Sequence, residues 1–440
     1  MRHLRAALAL SALLVASSAE AQPYVLSSPV EHLATIFTDL YGPTGLKVDS
    51  LATLPGEQPH SAHFNSDFQS DFSQFGTALV DQFVSLPLPS PTSGFTYQFD
   101  PSLGIFQRTT RSFGPILADR ADTLGARRVS VGFAFQRFTF DSVEGLDLHT
   151  VPAVFTHDNA QLLGGREDVV TTTNAIDVLV NQTTAYLTLG VTEQFDLSIA
   201  VPFISNSVKV VSTATIQRIG TTNPLTHFFR QADGEVGEVR VFNAQGSAAG
   251  VGDVVVRMKH TLRKSPTSGL AAGVDLRIPT GDAMNLLGSG TPGIQPFAIW
   301  SGTYRQVSPH VNVGYRWNGS SILAGNPATG ESGDFPDDLG YALGADLSAN
   351  SRLTIAFDVL GRYTINAERL QQEDFHALDG RSTFPNISFA VDSYNALSGS
   401  MGMKAMLADK LLLTGNILFS LDDHGVRDRV TPLLGLEYSF

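Results

Sequence analysis

Leu434-Gly-Leu-Glu-Tyr-Ser-Phe440 closes the chain, with large apolar side chains at 434, 436, 438 and 440 and small or polar ones between. A period of two is the signature of a strand, whose successive side chains face opposite ways. One face of this strand is wholly apolar. An aromatic as the last residue is unusual, because the ends of soluble domains tend to be polar and frayed. Both features fit the closing strand of an outer-membrane β-barrel, with lipid on one side and a polar lumen on the other. The competing reading is an amphipathic edge strand of a soluble domain.

Working outward, 440 residues suit one large barrel with long outer loops. Charged residues make up 16% and hydrophobic ones 42%, too apolar for a disordered chain and too mixed for a bundle of membrane helices. The lack of cysteine removes disulfides, thiolate chemistry and cysteine-ligated metals. A net charge of −13 opposes nucleic acid as a partner, since binding phosphates needs basic patches.

Residues 1–21 read as a cleaved export signal: Arg2 and Arg5, an apolar run over residues 6–16, and Ala19-Glu-Ala21 before the cut. The run is too short to be a stable bilayer span. Residues 22–94 read as helical. Ser28-Pro-Val-Glu31 has the form of a capping box, Leu33, Ile36, Phe37 and Leu40 share a face, and Gly42-Pro43 stops the helix. A second stripe runs through Phe64, Phe68, Phe72, Phe75, Leu79, Phe83 and Leu86. The segment carries seven acidic residues against Lys47 alone, so seven minus one leaves a local charge of −6. That charge disfavours an anionic membrane surface and favours a plug docked into or under the barrel.

Residues 95–126 form a bridge, either an extended linker or a strand pair, and the period of two then runs to the end. Residues 127–141 start with Val129, Val131, Phe133 and Phe135 on one face and shift to Phe138 and Phe140, which predicts a bulge near Arg137. Five hairpins follow, with short turns at 192–194, 265–268, 306–309, 349–352 and 408–410. Long connections at 141–173, 205–250, 318–338 and 366–384 lie between them. Short turns on one rim and long loops on the other are the layout of outer-membrane barrels. One leading strand, five hairpins and the closing strand make twelve, or fourteen if residues 95–100 and 106–112 join the wall. The expected fold is an all-β transmembrane antiparallel barrel spanning residues 127–440, in contact with outer-membrane lipid.

Opposite the apolar face lie Asp253, Arg257, Lys259, Asp275, Arg277, Arg316, Asp346, Asp358, Arg362, Asp392 and Lys404, the candidate lumen charges. A soluble sandwich would put the apolar face inside and these charges outside. In a barrel, Arg257, Lys259 and Arg277 would sit on neighbouring strands with Asp253 and Asp275 beside them. They read either as a charge ladder that hydrates the lumen or as a ligand site.

Several stretches carry a resemblance. Ser112-Phe-Gly-Pro-Ile-Leu-Ala-Asp-Arg-Ala-Asp-Thr-Leu-Gly125, Gly132-Phe-Ala-Phe-Gln-Arg-Phe138 with Asp147-Leu148, Gly250-Val-Gly-Asp253 and Leu276-Arg-Ile-Pro-Thr-Gly-Asp282 resemble the outer-membrane barrel family named for the meta-pathway of phenol degradation. The resemblance covers roughly residue 95 to the end. It implies a design like the long-chain fatty-acid transporters and uptake of aromatic or other hydrophobic small molecules. It transfers no catalytic or binding residue. By the same likeness to outer-membrane barrels, Leu436, Tyr438 and Phe440 would form the signal read by the barrel assembly machinery.

Enzyme and cofactor motifs fail on inspection. Gly325-Asn-Pro-Ala-Thr-Gly-Glu-Ser332 has phosphate-loop spacing, but Glu331 stands where the lysine must be. His60 and His63 have ligand spacing without a third partner, and Asp334, Asp337 and Asp338 read as a solvated loop ahead of a calcium site. No cofactor or metal is expected. Uptake of a hydrophobic solute leads, followed by a structural or adhesive barrel and then by a hydrolase at the rim.

Overall fold

The computed structural model describes residues 25–28, 30–42, 45–51, 62–66, 73–84, 94–100, 105–108, 112–157 and 167–440. The expected export signal lies outside them. Among the described residues no helix is long and apolar enough to cross a membrane. Crossing falls to twelve antiparallel strands that close into a ring. They are β1 (Arg128–Phe140), β2 (Val169–Gly190), β3 (Phe195–Gln217) and β4 (Val239–Val251, continuing as Val254–Lys264). Next come β5 (Ser268–Ile278), β6 (Gly293–Gly302), β7 (Val307–Asn318) and β8 (Asp337–Asn350). The last four are β9 (Leu353–His376), β10 (Thr383–Ala408), β11 (Leu411–Ser420) and β12 (Val430–Ser439).

Closure is made by the carboxyl-terminal strand β12 against β1. Leu434 faces Phe135, Leu436 faces Phe133 and Tyr438 faces Val131 across the β12–β1 seam. The Phe440 amide donates to the Val129 carbonyl at 2.8 Å. Leu434, Leu436, Tyr438 and Phe440 are exposed, as are Phe133 and Phe135. On a closed ring without a free edge, such an apolar outer band is the surface that lipid covers, and it places the chain in the bacterial outer membrane.

The long strands change sign along their length. On β3 the outward positions from Phe195 through Leu197, Ile199 and Val201 to Phe203 are apolar, while Asp196, Ser198 and Ala200 point inward. Beyond Phe203 the pattern inverts: Ser205, Ser207, Lys209 and Thr213 face out, and Ile204, Val208, Val210, Ala214 and Ile216 are buried within. The apolar-out stretch rises about 3.3 Å per residue, which at a tilt of roughly 40° spans about 20 Å, close to the ~25 Å apolar band of such barrels. Above the band, water replaces lipid outside and a packed core replaces the hydrated lumen inside. Both faces must therefore exchange character.

This inversion corrects two expectations. The shift from Phe133 and Phe135 to Phe138 and Phe140 is no bulge: β1 pairs with β2 without interruption from Arg128 to Phe140. Phe138 and Phe140 have turned inward, stacked at 5.9 Å. The segments expected to be long loops at 141–173, 205–250 and 366–384 are in large part strand, since β2, β3, β4, β9 and β10 stand above the membrane as a walled headpiece. The third turn also moves, lying between β6 and β7 over residues 303–306. We expect Ile199→Arg, on the lipid face, to cost about 2–4 kcal/mol of barrel stability. Lys209→Leu, ten residues up the same face, should leave it nearly unchanged. Urea unfolding in liposomes reads both.

The described parts of the amino-terminal segment pack inside this headpiece, as a mixture of short strands and helices. Val25–Ser28 is a strand paired in parallel with Val241–Ala244 of β4, so the chain at Ser28 is extended and the first helical turn begins only at Leu33. A 3-10 turn (Leu33–Thr35) and the one-turn helix α1 (Ile36–Asp39) follow. Leu33, Ile36, Phe37 and Leu40 are buried as one cluster, so the face was read correctly and its helix is shorter than expected. Gly42, at φ +84°, ends it. Phe64 lies in a strand (Ala62–Asn65) that pairs with Leu46–Val48, and among the described residues of the second stripe Ser73–Val84, α2, is helical. Phe68, Phe72 and Leu86 fall outside the described residues. Tyr97–Asp100 and Ile105–Arg108 pair with each other and not with the wall, which leaves the ring at twelve.

Candidate functional site: a lumen crossed by its own chain

Residues 112–124, the longest stretch of the family resemblance, run across the periplasmic half of the lumen. Pro115 and the positive-φ residue Gly114 keep the segment irregular, so its backbone groups need partners from the wall. The wall supplies them. Phe113 N donates to Thr354 Oγ1 (2.9 Å), Ala121 N to Ser301 Oγ (3.1 Å) and Leu124 N to Asp196 Oδ2 (2.9 Å). Asn312 bonds both ways with the Asp119 backbone, accepting at 2.6 Å and donating at 2.9 Å. Lys404 Nζ donates to Pro115 O (2.5 Å), Thr261 Oγ1 to Ala121 O (2.6 Å), and Lys259 Nζ to Arg120 O (3.1 Å) and Asp122 O (2.8 Å). Ser112 Oγ donates to Asp346.

Side chains add charge to this lattice. The Asp119 carboxylate lies 3.0 Å from Arg257 Nη1 and 3.5 Å from Lys259 Nζ, and Lys259 is only 1% exposed. His310 sits between two acids, 2.6 Å from Asp358 and 3.8 Å from Asp346. Asp119, Asp196 and His310 were not singled out in the sequence. Asp196 and His310 do alternate with apolar neighbours, and that placement marks them as inward.

The outer half of the lumen is filled from above. Asp253 folds the β5–β6 connection inward: its carboxylate accepts from Gly281 N (3.1 Å), Ser289 N (2.8 Å) and Ser289 Oγ (2.5 Å). Thr280 Oγ1 donates to Gly252 O at 2.6 Å. The Gly250-Val-Gly-Asp253 and Leu276–Asp282 pieces, 23 or more residues apart in sequence, thus form one junction. A Cβ at Gly288 would come within 2.3 Å of Asp253 Oδ1, so the close approach requires glycine. Beside this loop, α2 is held by Arg362, which donates to the Asp81 carbonyl (2.7 Å) and to Gln82 (2.9 Å) and pairs with the Asp81 carboxylate (2.8 Å).

Between α2 above and residues 117–119 below lies a cavity offering about 190 Å³ to the centres of water-sized molecules. At about 10–15 Å³ for each water this is room for roughly a dozen, the scale of a small organic solute. Leu117, Val255, Phe297, Ile299, Leu360 and Leu418 give the wall apolar patches, and inward Gly314 and Gly340 keep it open. Arg257, Arg277, Arg316, Arg362 and Arg427 project among them, with Asp119, Asp275 and Asp338. Arg257 is gripped by Asp275 through two bonds of 2.7 Å, the pairing expected from adjacent strands.

The expected lumen charges thus separate. Arg257, Asp275, Arg277, Arg316 and Arg362 line the cavity. Lys259, Asp346 and Lys404 bond the crossing segment below it, Asp358 pairs with His310 on the wall, and Asp253 shapes the loop above. Asp392 does not face the lumen. It lies in the headpiece, its side chain 62% exposed, 3.3 Å from Arg369, because a register shift after Thr364 turns that part of the β9–β10 pair. The three acids around the start of β8 diverge: Asp334 bonds Ser320, Asp337 accepts from Asn318 N, and Asp338 turns inward to Arg316. Glu331 lies in the outer hairpin Ser320–Asn326 with Glu331–Asp334, and His60 falls outside the described residues.

A closed antiparallel ring with an apolar outer band and a polar, occupied lumen defines an outer-membrane β-barrel. Within that class, residues 159–372 match the model of the family described as "Putative MetA-pathway of phenol degradation", the family that the sequence motifs resemble. The match contains the Gly250–Asp253 and Leu276–Asp282 pieces and stops short of residues 112–138. Among solved structures, an outer-membrane channel from Pseudomonas putida F1 is similar at 13% identity over 73% of this chain and 99% of that one, with a TM-score of 0.46. The CymD monoaromatic hydrocarbon channel (9% identity, 81% and 98% covered, TM-score 0.35) and the Ralstonia pickettii toluene transporter TbuX (9%, 81% and 100%, 0.35) are also similar. No curated protein matches the chain.

Proposed function

We propose that the protein is a channel for uptake of hydrophobic or aromatic small molecules across the outer membrane. The observation that carries this is the mid-lumen cavity, with apolar patches set among fixed charges and with chain above and below it. A barrel serving only as an anchor for surface loops has no need of a solute-sized chamber at its centre. The matched family, described by phenol degradation, supports the same solute class. Solute would enter past the headpiece, dwell in the cavity and leave when the crossing at 112–124 shifts. Uptake of radiolabelled aromatic compounds by cells with and without the gene tests the reading; equal uptake across a broad panel would sink it.

We assign the exposed Leu436, Tyr438 and Phe440 a second role as the signal for barrel assembly, since their side chains face outward along the seam. Removing Phe440 should lower the amount of inserted barrel severalfold while leaving transport per inserted molecule intact. Quantitative immunoblots of outer membranes paired with uptake assays separate the two quantities.

A further inference from the structure

We infer that the cavity selects solutes bearing a carboxylate, and that Arg277 is the group that recognises it; this rests on the channel reading above. Four of the five cavity arginines are committed. Arg257 is held by Asp275 and Asp119, Arg362 by Asp81 and Gln82, Arg427 by Asp422 and the Leu397 carbonyl, and Arg316 by Gln295 at 2.8 Å and Asp338 at 3.5 Å. Arg277 differs. Its Nη2 donates to Asn318 Oδ1 at 2.6 Å, while Nε and Nη1 are buried with no hydrogen-bond partner among the described residues.

The nearest acid to Arg277 is already occupied. Asp253 Oδ2 stands 3.8 Å from Nε, beyond hydrogen-bond reach, and both its oxygens accept from Gly281 and Ser289. The Arg277 side chain is only 5% exposed, so a cation with idle donors is held largely out of water. Such a group is costly unless an anion completes it, and charge-assisted bonds are the strong kind. The wall also makes room. Gly293 lies beside the guanidinium, and a Cβ there would come within 3.2 Å of Nη2. The Phe335 ring faces the guanidinium at 5.7 Å. One carboxylate oxygen on the wall, Asp338 Oδ2, also lacks a hydrogen bond, but Arg316 Nη1 at 3.5 Å matches its charge. With Phe297, Ile299 and Leu360 lining the same cavity, the fitting solute is a small apolar body with one carboxylate, such as an aromatic acid.

The test is calorimetric binding of benzoate and of the isosteric neutral benzamide to the purified full-length barrel in detergent, at low ionic strength. The wild type should prefer benzoate by about tenfold or more, the worth of one charge-assisted pair. Arg277→Met should abolish that preference, and Arg277→Lys should restore part of it. Asn318→Asp, which sets a carboxylate against Arg277 without removing it, should also abolish it, so the result does not hang on one variant's folding; a heat-modifiable gel shift checks each. Equal affinities in the wild type, or a preference that survives both Arg277→Met and Asn318→Asp, would overturn the assignment while the channel reading stands. If neither compound binds and neither crosses proteoliposomes, the channel reading fails with it.

Discussion

Replacing residues 112–124 with a glycine–serine linker of equal length is expected to raise single-channel conductance in planar bilayers severalfold, because it loosens the periplasmic half of the lumen while α2 and the β5–β6 loop still stand in the outer half. The segment is held by side chains from seven of the twelve strands, among them Asp196, Lys259, Ser301, Asn312, Asp346, Thr354 and Lys404. With the natural segment gone these polar groups hydrate and line a wider pore. The variant should still show the heat-modifiable gel shift of a closed barrel, since β1 to β12 are untouched. An unchanged conductance would mean that residues 112–124 are not the constriction.

The second large effect is expected from Asp119→Ala. Asp119 is 6% exposed, and its carboxylate is shared by Arg257 and the buried Lys259. Removing one member of a buried charge set leaves the others uncompensated, at a cost of about 3–5 kcal/mol; the hydrated cavity beside Arg257 favours the lower end. The loss should appear as a lower unfolding midpoint and as faster protease cutting within residues 112–124. Lys259→Met introduced alongside should recover much of it, because the stranded ammonium is then gone. A midpoint that stays put in Asp119→Ala would show that the backbone hydrogen bonds alone hold the crossing.

The wall was legible in the sequence because lipid demands a strict rule. Positions such as Phe195 to Phe203 and Leu434 to Phe440 must alternate, and that alternation gave the twelve strands, the seam and inward charges such as Arg257 and Asp275. The headpiece was not legible, because the same strands obey the opposite rule above the membrane. Phe138 and Val210 are as apolar as Phe133 and Ile199, and only the solvent around the barrel reverses their meaning. The amino-terminal stripe misled for a related reason: Phe64, Phe75 and Leu79 all bury against one core, whichever backbone delivers them. Within the site, Arg257 and Asp275 were expected to meet because strand register is local. Asp119 was missed because its partners lie 138 and 140 residues away along the chain.

The path of the amino-terminal segment bears on how the molecule is made. Val25–Ser28 is fastened to the outer end of β4, Asp81 meets Arg362 midway down, and Arg127 N donates to Gly190 O at the periplasmic rim. The chain is therefore a thread drawn through a hoop that its own first and last strands fasten shut. A hoop closed empty would have to be threaded afterwards by the whole amino-terminal segment. Biogenesis has an order written into it: the thread is laid down first, the staves gather around it, and Leu434 to Phe440 is the clasp.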